Sequence, residues 1–405
     1  MNQSAAMIDA AEPSGEFVSP IGAHAAILRS QLQAMAAAFY PPSANKTLRR
    51  FSSGEAARIL GISDSRLRQL SIEGSGPQPE ISQHGRRSYS LADIHALRDY
   101  FDETTRSGRK FSPRRQGNEH LQVISVVNFK GGSGKTTTSA HLAQYLVLKG
   151  YRVLAVDLDP QASLSALHGL QPEIDVGPGE TLYGAIRYDE TRRELTDIIR
   201  PTYFTGLDIV PGNLELMEFE HETPKALTSR QRDQMFFTRV AQALDTVAAR
   251  YDIVVIDCPP QLGFLTLSAL CAATSLLITV HPQMLDVASM SQFLAMTNDL
   301  LDVVRDAGGQ IRYDELRYLI TRYEPQDGPQ TRITALLRNL FGDAVLTSPM
   351  VKSSAVSDAG LTKQTLYEVG RETMNRQTYD RAVEALDAVN GEIESMVRRA
   401  WGRAA

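Results

Sequence analysis

The sequence predicts an α/β protein with a mostly parallel, doubly wound sheet, preceded by a small helical unit and a separate N-terminal helix. Three observations carry this expectation. From Leu121 onward, runs such as 123–127 and 253–256 are apolar almost throughout, which marks strands covered on both faces. Helix-length segments separate these runs, as in β-α-β units. A Gly-rich turn at 131–134 feeds the first run directly into the first of those helices.

Composition bounds the rest. A chain of 405 residues exceeds the usual single-domain size, so two or three units are expected. The only two cysteines, Cys258 and Cys271, exclude a disulfide framework and suit a reducing compartment. Neither stands in a CxxC or Cys/His cluster, so no structural zinc is expected. No apolar run approaches the roughly 18 residues needed to span a bilayer, and no basic segment precedes an apolar stretch near the acidic N-terminus. A cytoplasmic protein is expected. The net charge of −5 is unevenly spread: residues 46–115 hold 14 Lys/Arg against 8 Asp/Glu. A basic segment on an acidic body suggests nucleic-acid contact by the segment.

In order along the chain, residues 1–20 are small, polar and acidic, and read as a disordered tail. The segment 21–42 reads as a helix, with Leu28, Leu32, Met35 and Phe39 forming an a/d seam suited to pairing with another subunit, and Pro41-Pro42 as its stop. In 46–101, Ser52-x-x-Glu55 is a capping box opening a short helix to Leu60. Gly61 makes a turn, and Ser63 caps a second helix from Asp64 to about Ile72. His84-Gly85-Arg86-Arg87 reads as a basic hairpin, and Ser90-x-x-Asp93 opens a further helix. The polar, basic stretch 102–120 reads as a linker, and 121–405 as the α/β domain. Its strands are expected at 122–128, 153–157, 207–211, 253–257, 276–280 and 316–321. Helices are expected at about 135–149, 233–250, 264–272, 287–306, 330–341 and 374–400.

The segment Lys130-Gly131-Gly132-Ser133-Gly134-Lys135-Thr136-Thr137 has the chemistry of a phosphate cradle. Glycines let backbone N–H groups converge on an anion, and the following helix N-terminus adds positive potential. Lys135 can reach the β- and γ-phosphates of ATP, and the Thr136 hydroxyl can ligate Mg²⁺. The spacing departs from the common pattern, because Phe129 stands where the first glycine is usual, giving KGGxGKT. Two acidic strand ends complete the set: Asp157 with Asp159 in DLDPQ, and Asp257 in VVIDCPP. Carboxylates at the C-terminal ends of parallel strands lie where open α/β sheets bind ligands. Asp257 and Asp157 suit the magnesium side, and Asp159 suits orientation of the attacking water.

KGGSGKT, DLDPQAS and VVIDCPP, in this order, resemble the deviant Walker A ATPases of the ParA/MinD group over residues 120–375. Residues 46–101 resemble a MerR-like winged helix-turn-helix, which narrows the likeness to the larger ParA proteins that also repress transcription. The layout is similar to the RepA type of repABC plasmids. The resemblance implies a P-loop ATPase that hydrolyses ATP slowly and forms an ATP-dependent homodimer. It also implies binding to nonspecific DNA and a ParB-type partner on the nucleoid, and repression of its own operon. Lys130 would be the signature lysine acting across the dimer beside Lys135, Asp159 would lie in switch I, and Asp257 and Pro259 in switch II. Ser65, Arg66, Arg68 and Gln69 would face the major groove, with Arg86 and Arg87 on phosphates. Ser357-Asp358-Ala359 is similar to the family's Ser-Glu-Ala element. The arginine expected before it is missing, so Lys352, with Lys363, Arg322 and Arg332, stands in for nonspecific DNA contact. Two other readings compete: a MinD-like membrane-positioning ATPase using the C-terminal helix, and a nucleotide-responsive repressor without turnover.

Overall fold

The computed structural model describes residues 20–39, 46–105, 110–228 and 235–404. The chain divides into two compact units, Met1–Asn45 and Lys46–Ala405. The first contains α1 (Pro20–Phe39), with Ile21, Ile27 and Leu28 exposed. Of the expected seam, the Leu32, Met35 and Phe39 side chains lie outside the described residues, as do the expected tail at 1–19 and the Pro41-Pro42 stop.

The second unit begins with β1 (Phe51–Ser52), α2 (Ser53–Leu60), α3 (Asp64–Glu73), β2 (Glu80–Ile81), β3 (Arg87–Tyr89) and α4 (Leu91–Thr104). The expected capping box at Ser52 forms, and Ser90, expected to open α4, makes a second one. The Glu55 and Asp93 carboxylates accept from the Ser52 and Ser90 backbone N–H groups at 2.9 and 2.7 Å, and the serine hydroxyls accept in return. Gly61 closes α2 with φ 67°, the left-handed value that favours glycine at a helix end. The strands form a small antiparallel sheet in the order β1-β3-β2.

The rest comprises β4 (Gln122–Val127), α5 (Lys135–Lys149), β5 (Val153–Asp157), α6 (Ser163–Leu167), α7 (Pro172–Asp175), α8 (Leu182–Ile186), β6 (Arg200–Pro201), β7 (Leu207–Val210), α9 (Met217–Thr228) and α10 (Arg239–Asp245). Then follow β8 (Ile253–Asp257), α11 (Phe264–Ala272), β9 (Ser275–Val280), α12 (Met284–Asp306), β10 (Glu315–Ile320), α13 (Gly328–Phe341), α14 (Ser354–Leu361) and α15 (Arg376–Ala400). Among the described residues the seven strands run β10-β9-β4-β8-β5-β7-β6, parallel except for the edge pair β6-β7. Side chains alternate between two cores, as the pleat requires. Ile124, Val126, Val153 and Ala155 join the core shared with α2 to α5 and α15, whereas Val123, Val127, Leu154 and Val156 join the opposite core. Asp157 and Asp257 are register partners, so two carboxylates stand side by side at the C-terminal edge of the sheet.

Two expectations fail. The stretch 102–120 is not a free linker where it is described: Phe111 is buried, and the Arg115 backbone N–H donates to Asp252 at 3.0 Å. Arg403, beyond α15, donates to the Pro113 and Arg114 carbonyls at 2.8 and 2.7 Å. Buried ties of this kind hold a polar segment whose composition alone reads as loose. The helix expected at 233–250 shrinks to α10 with a preceding 3-10 turn, Phe236–Thr238, and residues 233–234 lie outside the described residues. Its C-terminal extension becomes tight turns, in which the Val247, Ala248 and Arg250 N–H groups donate three residues back, to the Leu244, Asp245 and Val247 carbonyls at 3.1, 3.2 and 2.9 Å.

Candidate functional site

The Gly-rich loop is held from below by side chains of three strand ends. Asn128 donates to the Thr279 carbonyl at 2.5 Å, and its Oδ1 accepts the Lys130 N–H at 2.9 Å. Thr279 donates to Ser133 Oγ at 3.0 Å, and Thr321 donates to the Ser133 carbonyl at 2.7 Å. Gly132 and Gly134 hold φ at 77° and 90°, values that strain any side chain-bearing residue. A Cβ at Gly134 would stand 3.5 Å from Thr321, an ordinary contact, so the backbone angle and not crowding requires glycine there. The first-turn N–H groups of α5 have no intrahelical acceptor, and Gly134 supplies no side-chain cap. An uncapped helix start next to Lys135, Thr136 and Thr137 is an anion site.

Lys135 is 6 % exposed, with Nζ 3.4 Å from the Lys130 carbonyl. Burial lowers its pKa, and the nearby Asp257 carboxylate works in the opposite direction. Asp257 is fully buried. Its Oδ1 accepts from Ser139 at 3.0 Å, while Oδ2 has no hydrogen-bond partner among the described residues. Burial pushes its pKa up to about 6 against the pull of the Thr136 and Ser139 hydroxyls and Lys135. A buried carboxylate oxygen without a partner, next to the Thr136 hydroxyl, fits a divalent cation.

The neighbouring carboxylate is used differently. Asp157 Oδ2 accepts from the Ser165 N–H and hydroxyl at 2.8 and 2.7 Å, and Oδ1 accepts from the Asp159 N–H at 3.2 Å. Burial first, and the adjacent Asp257 second, push its pKa up to about 8. Gly212 closes over this group, where a Cβ would lie 3.0 Å from the Asp157 carboxyl carbon. Asp157 therefore shapes the turn after β5, and Asp257 keeps the open oxygen. Asp159 is half-buried and accepts the Gln161 N–H at 2.9 Å. Pro259 is buried beyond β8.

Lys130 is paired with Asp286 in the first turn of α12. The other Asp286 oxygen stands 3.5 Å from His281 Nδ1, and burial lowers the His281 pKa. The sequence reading missed Asp286, Ser139 and Ser165. Ser139 was findable as the residue one turn beyond Lys135 on the same helix, but Asp286 is distant in sequence from its partner.

The residues expected on DNA fall into distinct places. Ser65, Arg66, Arg68 and Gln69 are exposed on α3, with Arg68 bonded to Asp64 at 2.8 Å and Gln69 to Glu73 at 2.7 Å. Arg86 is exposed at the hairpin turn, but Arg87 is half-buried and donates to Ser71 of α3 at 3.0 Å. The two hairpin arginines thus do not act alike: Arg86 lies in the turn, whereas Arg87 opens β3 and is held against α3. Lys352 is exposed and paired with Glu324 at 2.9 Å.

Comparison with known proteins finds a family model described as an AAA domain over residues 121–307. A protein named as a replication protein A from Rhizobium rhizogenes is 58% identical over 381 residues, covering 94% of each chain. Protein SopA of Escherichia coli K12 is 32% identical over 333 residues, covering 81% of this chain and 82% of its own. A solved structure of a partition protein superimposes with a TM-score of 0.64 at 20% identity, covering 93% of this chain and 98% of that one.

Proposed function

The chain belongs to the ParA-type P-loop ATPases, with the rhizobial replication protein A and SopA among its relatives, and from that premise we propose that it is a plasmid partition ATPase that uses MgATP. The observation that carries the reading is the uncapped start of α5, where Lys135 and Thr136 lie beside the buried Asp257 carboxylate, whose Oδ2 has no hydrogen-bond partner among the described residues. Lys135, Thr136, Thr137 and the N–H groups of 131–134 would bind the phosphates. Thr136 and Asp257 would hold Mg²⁺, which neutralises charge on the phosphate oxygens. Asp159, at the partly exposed turn after β5, would orient the attacking water. Lys130 would leave Asp286 and act across a homodimer.

The wider proposal is that the ATP-bound dimer binds nonspecific DNA and responds to a ParB-type centromere-binding partner. The helix pair α2-α3 with its hairpin would act as a winged helix-turn-helix repressing the protein's own operon. Exposed Arg66 and Arg68 on α3 support this assignment. The membrane-positioning alternative is disfavoured by α15: Ile393, Met396, Val397 and Trp401 are buried, and the indole N–H donates to the His120 carbonyl at 2.9 Å. An apolar helix face already covered by protein is not available to lipid.

Lys135→Ala tests the site. It removes a charged phosphate contact worth roughly 1.5–3 kcal/mol, so ATP affinity should fall about 10- to 100-fold with turnover lost. Unchanged nucleotide binding and phosphate release would remove the assignment. A wild type that binds ATP but shows no turnover, even with DNA and partner, would favour the repressor reading instead.

A further inference from the structure

We propose that Lys46 is a strap that transmits the state of the nucleotide site to the α2–α4 unit. The proposal rests on the functional reading above and assigns a residue to the link between its two activities.

Lys46 opens the second unit, five residues before β1. Its side chain is buried, 9 % exposed, and runs into the α/β body rather than to solvent. The ammonium group meets four partners from three segments. It donates to the Leu167 carbonyl at 2.6 Å and to the Lys363 carbonyl at 2.7 Å, pairs with Glu368 at 2.7 Å, and stands 4.7 Å from the centre of the Tyr203 ring. Three N–H donors and one aromatic face are thus satisfied, which is complete coordination for a buried lysine.

Two of these partners lead back to the nucleotide site by short rigid paths. Leu167 is the last residue of α6, a five-residue helix. The middle of α6, two residues before Leu167, is fixed to the sheet edge, where Ser165 N and Oγ donate to Asp157, the register partner of Asp257. Glu368 leads to the helix that starts at Lys135: it accepts from Gln144 of α5 at 3.2 Å, and Gln144 is also bonded to Thr365. The junction is set under backbone strain at both sides. Ala162, immediately before α6, and Lys363, whose carbonyl receives Lys46, hold left-handed φ values of 52° and 51°. Strain of this kind in non-glycine residues persists where the surroundings over-determine it, as at switch regions. A shift of the Asp159–Ala162 turn on phosphate binding or release would move the Leu167 carbonyl and so the Lys46 anchor. A second attachment, Arg98 and His95 of α4 on the Leu148 and Val147 carbonyls at 2.9 Å each, fixes the α2–α4 unit to the far end of α5 and supplies the fulcrum.

The test must avoid stranding a buried charge, so the informative variant is the neutral pair Lys46→Met with Glu368→Gln. Neither residue belongs to the nucleotide site, and turnover without DNA should match wild type. Two readouts are compared with and without MgATP. The first is amide hydrogen exchange in residues 47–60; nucleotide should change it in wild type, and the paired variant should lose that change. The second is affinity for the DNA upstream of the protein's own gene. If nucleotide alters that affinity about fivefold or more in wild type, a normal size for coupling between sites, the ratio should fall towards one in the variant. Lys46→Arg, which keeps the charge, should retain most of the ratio. A paired variant that folds and retains both nucleotide effects overturns the strap. A wild type that binds no such DNA removes the repressor reading, while the exchange experiment still decides the strap.

Discussion

At the scale of single residues, the site sets two buried carboxylates side by side and gives them different work. Asp157 spends its oxygens on the turn after β5, and Asp257 keeps one free. Burial holds the Asp257 pKa at about 6 and the Asp157 pKa at about 8, above their ordinary value. Folded-state protons that the unfolded chain does not hold make stability fall as pH rises through this window. Nucleotide-free protein should therefore lose thermal stability between about pH 4 and 8, as seen by melting. A divalent cation needs the ionised form, so the Mg²⁺-dependent part of ATP affinity should have the opposite trend. It should strengthen by up to about tenfold per pH unit below 6 and level off above it. Fluorescent-nucleotide titrations with and without Mg²⁺ would measure this, and Asp257→Asn should remove the pH dependence. Sequence alone pointed to both aspartates, because strand-ending acids beside a phosphate loop are informative. It did not separate their roles, since the distinction depends on Ser165 and Gly212 arriving from other segments.

At the scale of elements, α4 is the piece whose importance sequence understates. Arg98 is buried and donates to the Phe111, Ile59 and Leu148 carbonyls at 2.7, 2.7 and 2.9 Å, and burial lowers its pKa to about 10. Arg98→Ala would leave three carbonyls short of a charged donor and should cost about 3 kcal/mol or more, read from denaturant unfolding. On α3, by contrast, Arg66 and Arg68 are exposed. Replacing both by alanine should abolish operator binding in a mobility-shift assay while ATP turnover persists. Surviving operator affinity would show that α3 is not the reading helix. Helix and strand identities in the α/β body were legible because fully covered strands are apolar throughout and capping residues mark helix starts. The short helices α6, α7 and α8 were not, since 5, 4 and 5 residues make little more than one turn and carry no periodicity.

At the scale of the whole molecule, the proposed dimer makes a direct prediction. Light scattering should show a monomer without nucleotide and a dimer with MgATP under conditions of slow turnover, and Lys130→Ala should block stimulated hydrolysis while leaving ATP binding. A chain ending before Glu392 should be destabilised, because it removes Ile393, Met396, Val397 and Trp401 from the core shared with α5. Vesicle co-sedimentation should then show no MgATP-dependent membrane binding by the intact protein, and robust sedimentation would restore the membrane reading. The phosphate loop, the two acidic strand ends, the individual apolar strands and the Ser52 capping box were determined by the sequence itself, since each depends on residues close together in the chain. Tertiary structure alone decided that residues 110–120 are tied down, that Lys130 rests on Asp286, and that Lys46 joins α6 to Glu368. The reason is physical: local spacing fixes backbone conformation and helix caps, whereas a buried charge is placed only where distant segments supply its partners.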